Sequence, residues 1–338
     1  MRLVPVDELE EGDLLGRGLY DEGGRLMLRQ GVPLNGRLIE GIKKRGHQYI
    51  FVQLNEKRAA ASGFDLISHL RLLTKDLLER VFRSVRQNGS LPLEPLKDWA
   101  DHVSYSIAEE KEMTIRLSDL ERDPERDEGQ SELIAHGLNV CFLSMLTAKA
   151  LGYKEKQIRE VALGSLLHDI GLALPHDGTF FFQHPLIGRD LLRKLPDFPA
   201  ESLKMVVQHH EQVDGTGFPY ALRGPQVAEA AQIVGLCSEF DYFMNDGLND
   251  RLPSEGLDFV MSKIDTSFDY GVVRAFMKAF QPYPVGMEVR LTGGLLATVV
   301  EQNRGHSCRP IVKLKPSGTR FDLMKHTTFI IEEVIHGD

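Results

Sequence analysis

Histidines are concentrated in one part of the sequence, together with carboxylates. Six of the twelve histidines lie within residues 136–210: His136, His168, His176, His184, His209 and His210. Neutral imidazole is the commonest metal ligand in proteins, and carboxylates suit the harder divalent ions. A cluster that mixes both groups predicts a hydrolytic metal site for Mn, Fe, Ni or Zn. The absence of cysteine from the cluster argues against structural zinc.

Two pairs of candidate ligands come first in this part of the sequence. Glu132 and His136 are four residues apart in the apolar stretch around "ELIAH", so they share one face of a helix. A pair of this kind, taken alone, is more often a contact on a helix surface. His168 and Asp169 end the apolar segment "IREVALGSLLHDIG". Because burying an uncompensated charge is costly, these neighbours must be paired, exposed or bound to metal.

The remaining candidates lie near predicted helix ends. His184 precedes Pro185, a residue favoured in the first turn of a helix. His209 and His210 end "SLKMVVQHHE" and lie about 100° apart around a helix axis, so they could face two metal ions or flank one. Each histidine alone is better explained as an ordinary core or surface residue. Together, in order along one helical region, they predict a metal site.

The elements that position these residues are predicted to be mainly helical. Apolar residues three or four apart predict a helix over residues 65–86, and a second helix is predicted over 96–113. Helical periodicity then dominates from residue 131 to about residue 279. Both ends of the chain are β-rich instead, with turn signals at Gly23-Gly24 and Gly293-Gly294, and the second predicts a small hairpin or sheet.

Changes in composition divide the chain into four segments. They are a small β-containing N-terminal domain at 1–54, a helical region with an acidic linker at 55–130, a helical metal domain at 131–285 and a β-rich C-terminal extension at 286–338. The stretch "SDLERDPERDEGQ" at 118–130 favours a solvated linker over an acidic docking tail.

Charge and hydropathy exclude several classes of protein. The 338 residues include 40 basic and 49 acidic side chains, for a net charge of −9, and no basic tract interleaves with aromatics. Duplex nucleic acid is therefore not an expected partner. The N-terminus lacks a signal-peptide pattern, and no run approaches the roughly 18 apolar residues of a membrane helix. We expect a cytoplasmic protein without a membrane contact.

The three cysteines agree with a reducing compartment. Cys141, Cys237 and Cys308 are odd in number and have no metal-ligand spacing. Cys141 and Cys237 lie in apolar surroundings and are expected in the core.

The motifs "HDIG", "HPLIG" and "HHEQVDGTGFP", with the closing "PVG" and "RPIV", resemble the HD superfamily of metal-dependent phosphohydrolases, and specifically its HD-GYP branch. The resemblance covers about residues 131–335. The segment "VPVDELEEGDLLGRGLYDEGGRLMLRQGVPL" also resembles the small domain that often precedes HD-GYP domains. The resemblance implies an HD-type helical bundle, hydrolysis of cyclic diguanylate and a role in bacterial signalling.

The resemblance also implies the roles of particular residues. It places the ligands of a two- or three-metal centre at Glu132, His136, His168, Asp169, His184, His209 and His210, with His168 and Asp169 also catalytic. It places a substrate groove at Asp214, Gly215, Gly217, Phe218, Pro219 and Arg251. Asp214 could orient a ligand histidine as a hydrogen-bond acceptor.

The sequence departs from the family pattern at several positions. Leu172 replaces a lysine that meets substrate phosphate, Ser238 replaces the last metal-binding aspartate, and Gly247 stands where an arginine is usual. The signature tyrosine is Phe218, and the connection from Asp169 to His184 is short.

Other side chains could compensate for the missing carboxylate. Glu239 and Asp241 follow Ser238 on the same predicted helix, while His176-Asp177 are expected to contribute loop polarity only. We therefore predict a phosphodiesterase with weakened activity. The alternative is a catalytically degenerate module that binds a nucleotide or a signalling protein.

Overall fold

The computed structural model describes most of the chain, in several ranges. They are residues 2–16, 18–20, 26–45, 47, 49–53, 66–110, 115–116, 120, 130–174, 181–245, 251–303 and 306–335. The chain forms two compact units, Met1–Leu70 and Arg71–Asp338. The finer division at residues 54, 130 and 285 stays a prediction.

The first unit is a small sheet with one helix. Its strands are β1 (Arg2–Pro5), β2 (Leu14–Leu15), β3 (Leu19–Tyr20), β4 (Leu26–Leu28) and β5 (Tyr49–Gln53). β1, β5 and β2 form an antiparallel sheet in that order, and β3 pairs with β4. The predicted turn at Gly23-Gly24 between β3 and β4 lies outside the described residues.

Helix α1 (Gly36–Lys44) covers this sheet with its apolar side. The side chain of Asn35 caps the helix by accepting a hydrogen bond from the backbone of Leu38. Ile39 and Ile42 of α1 pack in one cluster with strand residues such as Val52.

The second unit is mainly helical, as predicted. Its helices are α2 (Leu66–Asn88), which begins in the first unit, α3 (Leu93–Glu109), α4 (Gln130–Ala150), α5 (Glu155–Leu166), α6 (His184–Leu192), α7 (Ala200–Gln208), α8 (Glu229–Met244), α9 (Pro253–Ser262) and α10 (Tyr270–Ala279). α2 and α3 correspond to the helices predicted over 65–86 and 96–113. Residues 111–113 of the second prediction lie outside the described residues.

α4 is the central helix of this unit. It packs against α5, α8 and α10, and α5 packs in turn against α3 and α7. Ser131–Ala150 of α4 is long and apolar enough to cross a membrane by length and composition, which the sequence prediction missed. Since 78% of this window is buried among the other helices, it has the surroundings of a core helix.

The C-terminal residues form an antiparallel sheet, one of the two arrangements that the sequence predicted. β6 (Ile115–Arg116) and β7 (Phe280–Gln281) first make a short parallel pair. The sheet then contains β8 (Glu288–Leu291), β9 (Leu295–Glu301), β10 (Ile311–Leu314), β11 (Arg320–Asp322) and β12 (Ile331–Ile335). The strand order is β11-β10-β9-β8-β12, and the predicted Gly293-Gly294 turn joins β8 to β9. The predicted fold class, a helical bundle with β elements at both ends of the chain, is confirmed.

Backbone segments approach closely where α5 is followed by α6. After α5, the short 3₁₀ helix Ile170–Ala173 lies against the first turns of α6. A Cβ atom added to Gly171 would lie 2.2 Å from the carbonyl oxygen of His184. Gly171 therefore allows the end of α5 and the start of α6 to meet.

We predict that Gly171→Ala lowers the free energy of unfolding by about 1–3 kcal/mol or more, because the added methyl group overlaps backbone that cannot move like a side chain. Gly271→Ala is the matched control, since a Cβ there has no atom within 4 Å and lies in helix α10. Denaturant unfolding of both variants checks the prediction. Equal stability of the two variants would contradict it.

Candidate metal centre

Four buried histidines lie where helices begin, end or cross. His136 is on α4, one turn after Glu132, and His168 follows the end of α5. His184 is the first residue of α6, and His209 caps the end of α7. His168, His184 and His209 therefore lie at helix ends, as predicted. The fold brings these three rings and that of His136 together.

The Nδ1 atom of each ring has an acceptor behind it. His168 donates from Nδ1 to the carbonyl of Ser165 at 2.7 Å, and His209 donates to that of Val206 at 2.9 Å. Nδ1 of His184 donates to the carbonyl of Phe181. Since a carbonyl oxygen can only accept, Nδ1 carries the proton in these three rings. In each neutral ring the Nε2 atom then presents a lone pair.

Nδ1 of His136 donates to a carboxylate instead of a carbonyl. Its partner is Oδ2 of Asp241 at 2.7 Å, and the Asp241 side chain is fully buried. The other oxygen of Asp241 accepts from Asn139 at 2.8 Å and from Asn245 at 2.9 Å. This network fixes the orientation of the His136 ring, so that its Nε2 also points into the cluster.

The Nε2 atoms meet in two pairs. Nε2 of His136 lies 3.2 Å from that of His168, and Nε2 of His184 lies 3.2 Å from that of His209. Two lone pairs at this separation repel unless a cation or a proton lies between them. Each pair is therefore suited to a metal ion.

Asp169 lies between the two pairs and directs one oxygen to each. Oδ1 is 3.0 Å from Nε2 of His184 and 3.4 Å from that of His209. Oδ2 is 3.3 Å from Nε2 of His168 and 3.7 Å from that of His136. We define the His184 side as Asp169, His184, His209 and His210. We define the His136 side as His136, His168 and Asp169. Within each set, the ligand atoms lie within 4.8 Å of one another. Each oxygen of this carboxylate would be available to a metal ion held on its own side.

The surroundings set the charge of the ligands. Burial opposes ionisation of Asp169, but the charge of His168 and the contacts with the neighbouring imidazoles outweigh it and hold the pKa of this carboxyl well below its ordinary value. Burial lowers the pKa of His209 to about 4, so this ring is neutral at neutral pH. Burial also lowers the pKa of His210. Burial lowers the pKa of His168 as well, but the charge of Asp169 outweighs burial and raises it. A metal ion bound here would replace the proton of His168, because neutral imidazoles and ionised carboxylates are the forms that bind divalent metals.

Glu132 takes no part in either set. It lies on the exposed side of α4, while His136 one turn later is buried. The two residues share a helix, as predicted, and the ligand role expected for Glu132 stays a prediction.

Ser238 adjoins the His136 side. Its hydroxyl is 3.2 Å from Nε2 of His136. The expected substitutes for a carboxylate are engaged elsewhere, since Asp241 accepts from Nδ1 of His136 and Glu239 pairs with Lys263 at 2.7 Å. The other substitutes, His176-Asp177, lie outside the described residues, as does Gly247.

The loop 211–222 borders the His184 side. Buried Glu211 accepts from the backbone of Tyr220 at 2.6 Å and of Leu222 at 2.8 Å, so it holds the loop closed. The Phe218–Pro219 peptide is cis. A Cβ on Gly217 would lie 2.4 Å from the carbonyl oxygen of His210, so the loop returns directly against the histidine pair.

Two predicted groove residues make contacts that the sequence did not predict, and their place in a groove stays a prediction. Asp214 is exposed and accepts from the backbone and hydroxyl of Thr216, at 2.9 and 2.7 Å, rather than from a histidine. The hydrogen bonds from Thr216 lower the pKa of Asp214. The Arg251 guanidinium lies over the ring of Phe243 at 4.0 Å. Gly215, beside Asp214, has a positive φ of 84°.

Sequence reasoning missed several residues around the centre. Asp241 was considered only as a replacement ligand, Glu211 was given no role within "HHEQ", and Asn139 and Phe181 were not singled out. The signal for Glu211 was present, because a carboxylate inside "HHEQ" must be satisfied once it is buried. Asp241 and Asn139 are 102 residues apart in sequence, and no local spacing connects them.

Residues 130–269 match the family model of the HD domain. The chain is 29% identical over 269 residues to a cyclic di-GMP phosphodiesterase of Pseudomonas aeruginosa. The aligned region covers 73% of this chain and 63% of the relative. The chain is also 30% identical over 158 residues to a cyclic di-GMP phosphodiesterase response regulator of Xanthomonas campestris, covering 42% of this chain and 41% of the relative. The matched residues form an HD domain, and the similarity to these relatives supports the HD-GYP branch of that family.

The HD-GYP assignment confirms the resemblance drawn from the motifs. The chain spans less than two thirds of the length of either relative. An HDGYP protein from Bdellovibrio bacteriovorus is a structural neighbour with a TM-score of 0.49 and 18% identity, covering 82% of this chain and 98% of that one.

We predict that Asp169→Asn removes at least half of the bound metal, because the amide cannot offer a charged oxygen to both sides of the centre. Metal analysis of protein purified without chelator measures the loss. Glu201→Gln on the surface of α7 is the control, since that carboxylate contacts only Lys204 among the described residues. Equal metal content in both variants would contradict the assignment of Asp169.

Proposed function

We propose that the chain is a metal-dependent phosphodiesterase that hydrolyses cyclic di-GMP or a related phosphodiester, with weakened turnover. The observation that carries the proposal is the Asp169 carboxylate, whose two oxygens face two separate pairs of imidazoles. Two divalent ions held on these sides would polarise a phosphodiester and lower the pKa of an attacking water. The names of the relatives support the choice of a cyclic dinucleotide.

The residues of this chain hold and orient the reacting groups. Backbone carbonyls and Asp241 fix the four rings, so the ligands need little rearrangement on binding. The loop 211–222, closed by Glu211, forms one wall beside the His184 side. Leu172 is half-buried in the 3₁₀ helix after Asp169 and offers no cation to a phosphate.

A second candidate is a catalytically degenerate module that binds a nucleotide or a signalling protein. It is favoured by Ser238, whose neutral hydroxyl stands against His136 where the family pattern has an aspartate. Leu172 supports the same interpretation. The binding of a protein partner and the cytoplasmic location stay predictions.

One experiment separates the two candidates. Protein loaded with Mn or Fe is assayed with cyclic di-GMP and with bis(p-nitrophenyl) phosphate, beside Asp169→Asn as the inactive control. We expect slow, metal-dependent turnover that the substitution abolishes. A metal-loaded protein that hydrolyses neither compound would exclude the phosphodiesterase and leave the binding module.

The weakened turnover follows from two positions. We predict that Ser238→Asp raises metal affinity, because a charged oxygen binds hard cations better than a hydroxyl. Adding Leu172→Lys should raise the rate by at least about tenfold, since a cation aimed at a non-bridging oxygen commonly contributes more than that.

Metal titration and steady-state kinetics measure the two effects. Ser238→Asn is the matched control, because it has nearly the size of aspartate without the charge. If Ser238→Asn and Ser238→Asp bind metal equally well, charge at this position is not what limits the centre. A double variant no faster than the natural protein would contradict the role given to Leu172.

A further inference from the structure

Three phenylalanine rings form an exposed apolar surface that we call the aromatic rim: Phe181, Phe182 and Phe218. The side chains of Phe181 and Phe182 are 45% and 67% exposed, although phenylalanine is usually buried in a folded protein. Phe182 meets Phe181 edge-on at 5.6 Å between ring centroids and Phe218 at 5.1 Å. A contiguous exposed apolar patch marks a binding surface more often than a single exposed apolar residue does.

The aromatic rim begins at the histidines of the His184 side. The Phe218 ring stacks on His210 at 4.4 Å with an interplanar angle of 18°. The Phe181 ring lies 5.5 Å from that of His184 and 5.6 Å from that of His210. A ligand whose phosphate reaches the centre would therefore have an apolar surface directly beside it.

The backbone under two of the three rings is fixed by the ligand histidines. The carbonyl of Phe181 accepts from Nδ1 of His184, and the backbone N–H of Phe218 donates to the carbonyl of His210 at 3.1 Å. Glu211 holds the rest of that loop. The rings are thus preorganised, and a bound group would lose little free energy in ordering them.

We propose that the aromatic rim stacks a nucleobase of the molecule whose phosphate is held at the metal centre. A nucleotide combines a flat aromatic base with an anionic phosphate, and the site offers an exposed aromatic surface next to a cation-binding cluster. Base–aromatic stacking is tolerant of base identity and is a common means of holding nucleotides. The inference rests on the proposed function for the position of the phosphate. The residues that hold the base are those of the aromatic rim.

Phe182 is the residue to change. It is the most exposed of the three rings, and its recorded ring contacts among the described residues are with Phe181 and Phe218, not with a histidine. Phe182→Ala should therefore leave the metal centre intact, which metal analysis checks. Phe182→Trp keeps a stacking surface. Tyr270→Ala, which removes a ring that is 57% exposed on α10, is the control for loss of surface aromatic area.

The experiment measures binding of GMP and of ribose 5-phosphate to the metal-loaded protein by calorimetry. We expect Phe182→Ala to weaken GMP binding by about 5- to 150-fold, the range found when stacking aromatics are truncated, and to leave the binding of ribose 5-phosphate unchanged. Phe182→Trp should restore GMP binding, and Tyr270→Ala should have no effect.

Three results would overturn the inference. They are a natural protein that binds GMP no more tightly than ribose 5-phosphate, an unchanged GMP affinity in Phe182→Ala, and a Phe182→Ala variant that changes only self-association in sedimentation. Hydrolysis of cyclic di-GMP, measured in parallel, separates this inference from the proposed function. Turnover without a preference for GMP would refute the base site alone, whereas base binding without turnover would refute the phosphodiesterase alone.

Discussion

The second unit depends on one buried carboxylate held among four imidazoles. Asp169 is 6% exposed and ionised, and no lysine or arginine pairs with it among the described residues. Burying such a charge is unfavourable unless a positive charge compensates for it. Imidazolium or metal supplies that charge only if the ends of α5 and α7, the start of α6 and the middle of α4 all meet around it. The packing of these helices and the formation of the site therefore depend on each other.

Polar contacts extend this constraint into the core of the bundle. Asn139 accepts from Arg71 of α2 at 2.6 Å and donates to Asp241, which orients His136. Buried networks of this kind are favourable when every member is satisfied and costly when one partner is removed. A change at Arg71 would thus reach the His136 ring through two intervening side chains.

The sequence predicted what local rules determine. The apolar segment before His168 and Asp169 has to end in a helix terminus, because an apolar face cannot continue through two ionisable residues, and α5 ends at Leu166. Pro185 fixed the start of α6 in the same way. Glu132 shows the limit of such rules, since spacing puts it on the helix of His136 but does not decide its burial, and Glu132 is exposed. The roles of Asp241 and Glu211 depend on contacts made by folding, which periodicity does not contain.

The two sides of the centre differ in the number of imidazole ligands, and this difference decides what the departures from the family pattern mean. Both share Asp169, but the His184 side has three imidazoles, whereas the His136 side has two and the neutral hydroxyl of Ser238. Asp241 does not make up the deficit, because its oxygens are occupied by His136, Asn139 and Asn245. It instead accepts from Nδ1 of His136 and fixes the orientation of that ring. An ion on the His136 side should therefore be the more weakly held of the two, and any reaction that needs both ions would be limited by its occupancy.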